Sequence, residues 1–304
     1  MSRILISGLI NIETNLKIDS FPINYSPVNY NFFGIKTNVS GVGYNIAKSL
    51  KKLGNEVIIL SVVGKDNNAE IVRKEFEKNE IGHENILSII DETAQSIILY
   101  DANGKRSINV DLKNIQEVEY PEENYYRSLY KADLCILCNV NFSRTYLKAT
   151  KENKKIIATD VHAISDIDDD YNKDFMKYAD ILFMSHEKLP ETPEKWIKKV
   201  SKKYDNEIIV IGLGEKGALI YTKKENEIKL IPSVKTRDVV NTIGAGDALF
   251  SSFIHFYLKS KDSYNSLKKA MIYASYKIGE TGAANGLMTD IEFVNLYKDI
   301  MLKG

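Results

Sequence analysis

Short, continuous apolar runs alternate along this chain with stretches whose apolar residues recur at helical spacing. The runs cover residues 4–7, 57–63, 134–138, 156–159, 181–184 and 208–211. Each is too short for a helix core and reads as a strand buried on both faces. Amphipathic helices are predicted at 42–53, stopped by Gly54, at 69–79, with Asp66 as a cap, and at 193–204, 248–259 and 266–280. In the first of these, Ile46, Ala47, Leu50 and Leu53 share one face. Such alternation predicts an α/β fold with a doubly wound, mostly parallel sheet flanked by helices, occupying residues 1–304 as one domain.

Two segments break the rhythm. Residues 11–38 and 94–111 have β-hairpin character, the second turning at Asn103-Gly104 between two alternating strands. They are expected to pair with each other as a small β-sheet over the carboxyl ends of the main strands, a lid that keeps water from the chemistry below.

Charge and composition narrow the partner. The 41 basic and 41 acidic side chains balance, so no global field draws the chain to nucleic acid or an anionic membrane, and a small molecule is favoured. No apolar run is long enough to span a bilayer, and residues 1–8 read as a buried strand rather than a signal peptide. Cytoplasmic residence is the expectation. Cys135 and Cys138 have redox-motif spacing, yet in a strand they point to opposite faces and read as two buried thiols in a reducing compartment. His83, His162, His186 and His255 lack ligand spacing, and the acidic run 166–170 lacks the glycine and terminal glutamate of a calcium loop.

The strongest chemical signal is Asn241-Thr242-Ile243-Gly244-Ala245-Gly246-Asp247, which opens directly into an apolar helix. Its glycines let several backbone N–H groups converge on one anion at the positive end of a helix dipole. Asp247 stands beside that nest, where a carboxylate repels phosphate but can take a proton from a hydroxyl attacking it. Near the other end, Ser40-Gly41-Val42-Gly43-Tyr44-Asn45-Ile46-Ala47 also runs into a helix, with small residues that admit a ligand to the backbone and Asn45 offering a donor and an acceptor to hydroxyls.

Together these segments resemble the ribokinase-like (PfkB) family of carbohydrate and nucleoside kinases, over nearly the whole chain. The resemblance implies an ATP- and Mg2+-dependent phosphotransferase with Asp247 as catalytic base and the amides of Gly244, Ala245 and Gly246 as the hole for the transferred phosphoryl. By the same resemblance Asn11, Glu13, Gly41 and Asn45 bind the acceptor, while Thr242 lines the phosphate path. Gly214 and Gly217, within Gly212-Leu213-Gly214-Glu215-Lys216-Gly217, and Ala283 and Asn285, in a late glycine-rich loop, belong to the nucleotide side. The formal G-x-G-x-x-G there is not read as a dinucleotide site, because Ala218-Leu219-Ile220-Tyr221 continues as a strand rather than a helix. No Walker A lysine motif is present.

The chain departs from the family pattern at four places. Ser40 replaces the first glycine of the sugar signature, Glu13 a customary aspartate, and Asn241 the leading aspartate of the anion-hole signature. Ser185-His186-Glu187-Lys188 stands where the family has the Asn-x-x-Glu that organises Mg2+, so the metal ligands stay unknown. The sugar signature also resembles that of pseudouridine kinases, and ketohexokinase-like members share the last departure. The expected function is transfer of the γ-phosphoryl of ATP to a primary hydroxyl of a sugar or nucleoside. The alternative is a catalytically silent sugar- or nucleotide-binding regulator on the same fold. An exposed lid edge could pair two subunits as a homodimer.

Overall fold

Parallel strands need helical crossovers, and the chain supplies them in order. The structure, a computed structural model, describes residues 2–102 and 105–303, except the side chain of Lys303. The first part comprises β1 (Arg3–Ser7), β2 (Asn11–Lys17), β3 (Ile35–Ser40), α1 (Val42–Lys52), β4 (Glu56–Gly64), α2 (Asn67–Lys78), β5 (Ile86–Ile90), β6 (Gln95–Tyr100) and β7 (Arg106–Asp111). The middle holds α3 (Glu122–Leu129), β8 (Leu134–Leu137), α4 (Asn141–Arg144), α5 (Leu147–Glu152), β9 (Ile156–Ala163), α6 (Lys173–Tyr178), β10 (Ile181–Ser185) and α7 (Pro193–Lys203). The last part is β11 (Ile208–Gly212), β12 (Ala218–Thr222), β13 (Glu227–Ile231), α8 (Ala245–Ser260), α9 (Ser263–Lys277) and α10 (Asp290–Lys303).

The main sheet has the order β13-β12-β11-β10-β9-β8-β1-β4-β5. The strands from β11 to β5 run parallel, and β12 and β13 complete one edge as antiparallel neighbours. From β1 the chain turns one way to β4 and later the other way to β8. That reversal makes the carboxyl ends of β1 and β8 the crevice where an open α/β sheet binds ligands.

Alternation along the central strands feeds two cores. Ile4, Ile6, Ile136 and Cys138 pack on the face covered by α1 and α8, against Ile46, Phe250 and Phe253. Leu5, Cys135 and Leu137 pack on the other, against Phe175, Trp196 and Ile197. Each fully buried Leu or Ile contributes on the order of 1.5–3 kcal/mol. The cysteines are therefore separate buried thiols, as their spacing in a strand implied. Burial pushes the Cys135 thiol up to about 12.

Residues 11–38 and 94–111 do pair, through β2 and β6. Their sheet has the order β3-β2-β6-β7, with β2 antiparallel to β3, parallel to β6, and β6 antiparallel to β7. The expected turn at Asn103-Gly104 lies outside the described residues. The small sheet reaches the crevice at Ile98, which packs with Ile243 and Ala283. Among the described residues no helix is long and apolar enough to cross a membrane.

Candidate active site

Two helix starts frame the crevice. Away from it, α2 and α9 are capped by Asp66 and Asp262, whose carboxylates accept from Ala69 and Asn265 at 3.0 Å each. By contrast α1 and α8 begin at Gly41 and Gly244 with no side-chain cap, so their first amides are left for other partners. Gly244 has φ 74°, and a Cβ there would sit 2.3 Å from the Ala283 carbonyl oxygen. Only glycine permits this turn. The Ala245 amide closes onto the Thr242 carbonyl at 3.2 Å, whereas the amides of Gly244 and Gly246 donate to no protein acceptor among the described residues. Asn241 braces the turn, its Oδ1 accepting from the Ile243 amide at 2.7 Å.

Asp247 stands in the first turn of α8, and Asn45 in the first turn of α1 donates from Nδ2 to its Oδ2 at 2.7 Å. Asp247 keeps partial exposure, yet enough protein surrounds its carboxyl for burial to push its pKa upward. The Asn45 hydrogen bond and the fields of His162 and Lys277 oppose that rise, while Asp160 adds to it. Asp160 and His162 lie in the second half of β9, and the Asp160 carboxylate accepts from the His162 amide at 2.8 Å. Sequence reasoning did not single out either of them.

On the side expected to take the acceptor stands a row of polar residues on β2. Asn11, Glu13 and Asn15 alternate with Ile12 and Thr14 and are all buried. Glu13 accepts from Asn15 Nδ2 and from the Ser40 hydroxyl, both at 2.9 Å. The Ser40 hydroxyl also lies 3.5 Å from Asn45 Oδ1, which links Glu13 to the Asp247 pair. Asn11 donates to the Ser96 hydroxyl at 2.9 Å. The Oδ1 atoms of Asn11 and Asn15 are buried and have no protein partner. Unpaired buried acceptors match a ligand rich in hydroxyl donors. Asn15 was missed in the sequence, although period-two spacing from Asn11 and Glu13 marks it.

Glu13 and Ser40 open onto a cavity of about 470 Å³. Its other walls include Asn38 on β3, Lys48 on α1, Lys74, Glu75 and Lys78 on α2, and Ala283 and Asn285. Ala283 and Asn285, expected on the nucleotide side, line the same cavity as Glu13. The Ala283 backbone packs on Gly244, and its side chain joins Ile98 and Ile243. Thr242 is exposed and accepts from Arg106 Nη1 of β7 at 2.8 Å. Gly41 enters α1 beside Ser40. Gly214 and Gly217 bracket a single 3-10 turn between β11 and β12 and line neither this cavity nor the smaller one beside it.

His186, Glu187 and Lys188 are exposed after β10, with the His186 ring held on the Gly212 carbonyl at 2.9 Å. Among the described residues no group of three or more His, Cys, Asp or Glu could hold a metal.

Sheet, uncapped helix start and adjacent carboxylate define a phosphotransferase of the carbohydrate-kinase type. A model of the pfkB family carbohydrate kinases matches residues 1–290, and the chain belongs to that family. It is 23% identical over 291 residues to the ATP-dependent ribose-1-phosphate kinase of Halopiger xanaduensis, covering 95% of this chain and 96% of that protein. The solved structure of a microbiome-derived acarbose kinase superposes with a TM-score of 0.87 at 20% identity, covering 98% of this chain and 99% of that one. Ribokinase from Arabidopsis thaliana, solved with ribose and ATP, gives 0.81 at 17% identity, covering 98% and 99%.

Proposed function

We propose that this protein transfers the γ-phosphoryl of ATP to a primary hydroxyl of a sugar or nucleoside. The observation that carries the reading is Asp247, held by Asn45 beside the free amides that open α8. The acceptor hydroxyl loses its proton to the Asp247 carboxylate while its oxygen bonds to the γ-phosphorus. The bond from that phosphorus to the bridging oxygen breaks, and ADP leaves. The amides of Gly244 and Gly246, with Ala245 between them, steady the charge on the phosphoryl oxygens; loss of one such donor costs about 10²–10³ in rate. Asn11, Glu13, Asn15, Ser40 and Asn45 hold the acceptor by its hydroxyls. Thr242 lines the phosphate path, and Gly214 and Gly217 flank the nucleotide.

Mg2+ fits this donor set as a companion of the nucleotide rather than a resident ion. Such an ion keeps several waters and takes one or two carboxylates besides the phosphates, and no larger ligand group is present among the described residues. Asp160, whose field reaches Asp247, is the carboxylate suited to that water shell.

Lys48, Lys74 and Lys78 line the cavity against two carboxylates, Glu13 and Glu75, and Glu75 pairs with Lys48 at 3.4 Å and Lys78 at 3.6 Å, so among the described lining residues Lys74 is the cation left to meet an acceptor that already carries an anionic group. The relatives' names, with ribose 1-phosphate, acarbose and ribose in them, support a sugar. The small sheet would act as the lid. Ile108 and Val110, exposed on its edge strand β7 and on the same face as Ile98, offer an apolar strip for a second subunit.

The test is ADP formation with Mg2+-ATP against a panel of pentoses, hexoses, sugar phosphates, sugar acids and nucleosides including pseudouridine. Turnover of one acceptor that vanishes in Asp247→Asn supports the reading. Binding of ATP and sugar without turnover of any acceptor would favour a silent binding protein.

A further inference from the structure

A loop that presents N–H groups to an anion turns carbonyl oxygens toward its back, and those oxygens need partners of their own. In this chain one of them is met by a buried ammonium. Lys277, the last residue of α9, is fully buried, and its Nζ donates to the Ile243 carbonyl and, at 2.8 Å, to the Gly282 carbonyl. Ile243 immediately precedes Gly244, and Gly282 immediately precedes Ala283, the residue on which Gly244 packs. One side chain therefore grips both loops at the point where their backbones touch. The end of α9 adds a second tie, since the Ile278 carbonyl accepts from the amides of Val240 and Asn241 at 2.9 and 3.0 Å.

We infer that Lys277 is a positioning residue of the phosphoryl-transfer site, a cation built into the chain that fixes the anion-hole loop from behind. This rests on the kinase reading of Asp247. The ammonium does two things there. It orients the Ile243–Gly244 peptide so that the following amides face the crevice, and it sets a positive charge close behind the place where the phosphoryl gathers negative charge. A lysine kept only for packing has no need of full burial with its charge on carbonyl oxygens, because the desolvation penalty of an ammonium is several kcal/mol.

The charged groups whose fields reach Lys277 are Asp247 on α8, Glu13 on β2 and Arg106 on β7. Burial outweighs the two carboxylates and brings the Lys277 pKa down to about 8. The positive charge is thus present at neutral pH and is lost as pH rises through that value. Turnover should follow it.

The experiment measures kcat and both KM values across pH 6–10 for wild type, Lys277→Arg, Lys277→Met and Lys277→Ala, with Asp247→Asn as the blank. Wild-type kcat is expected to fall along an alkaline limb near pH 8. Lys277→Arg should keep its charge and lose that limb. A group one layer behind a direct oxyanion donor is expected to cost roughly tenfold in kcat when removed, so Lys277→Met should show that loss with acceptor KM little changed. Added ammonium or methylammonium should restore part of the activity of Lys277→Ala.

Lys277→Met with wild-type kcat, or a wild-type alkaline limb that persists unchanged in Lys277→Arg, would overturn the inference while leaving the kinase reading intact. Should Lys277→Met not fold, the wild-type and Lys277→Arg profiles decide alone. Absence of Asp247-dependent turnover in the wild type itself would overturn the kinase reading and this inference with it.

Discussion

Asn45 donates to Asp247 at 2.7 Å although 202 residues of chain separate them. That bond joins the polar row on β2 and α1 to the amides that open α8, and in the proposed reaction it would hold the carboxylate between the acceptor hydroxyl and the phosphoryl. It also opposes the burial that makes the charged carboxylate unfavourable. Each half of the site therefore tunes the other.

Asp247→Asn is expected to lower turnover by about 10²–10⁴, the range for a lost general base, with ATP affinity retained. It should also melt higher at neutral pH. A carboxyl whose folded pKa is raised above 3.8 stabilises the fold while protonated, and that contribution is lost as pH rises through the folded value. Melting curves of both proteins from pH 4 to 8 check the sign; an equal or lower Tm for the variant at neutral pH would contradict it.

Asn45→Ala removes a hydrogen bond that lowers the Asp247 pKa, so the acid limb of kcat/KM should move to higher pH. A profile superimposed on that of the wild type would mean that another group is titrating.

Gly43→Ala tests the seam between α1 and the end of β1. A Cβ at Gly43 would lie 2.7 Å from the Gly8 carbonyl carbon, a backbone atom that has nowhere to retreat. Overpacking of this kind costs about 1–3 kcal/mol, read as a lower midpoint in urea. Gly246→Ala is the contrast: nothing lies within 4 Å of its added carbon, so its loss of stability should be much smaller.

The proposed closure of the small sheet has a direct test. Because β2 and β6 are hydrogen-bonded neighbours, crystals with and without acceptor should show residues 11–38 and 94–111 displaced as one body. Arg106→Ala, which removes the contact from β7 to Thr242, should raise the KM for ATP a few-fold. Independent movement of the two segments would rule out a common lid.

Much of this was legible in the sequence, for reasons that can be named. The central strands are buried on both faces and so appear as unbroken apolar runs, and Asp247 announces itself through the glycines a tight turn requires. β5, β13 and the short helices α3 to α6 escaped because their apolar faces are too brief to form a period. Asp160 and His162 lie in the crevice only because β9 sits beside β8, which no local pattern records. Lys277 did leave a trace: it falls on the stripe of Ala270, Tyr273 and Ala274, all buried, where a charged residue is out of place. Ala283 touches the Gly244 backbone and, with Asn285, lines the same cavity as Glu13, placements that their own segment does not encode.

The sheet order also bears on synthesis at the ribosome. β1 emerges first but lies between β4 and β8, so an apolar strand waits for a partner made some 130 residues later, as its pairing of Leu5 with Cys135 records. The acceptor row is translated early and the anion hole late. On the proposed reading, a half-made chain would hold the acceptor row but lack the amides that open α8, so the two halves of the site would meet only once α8 is made.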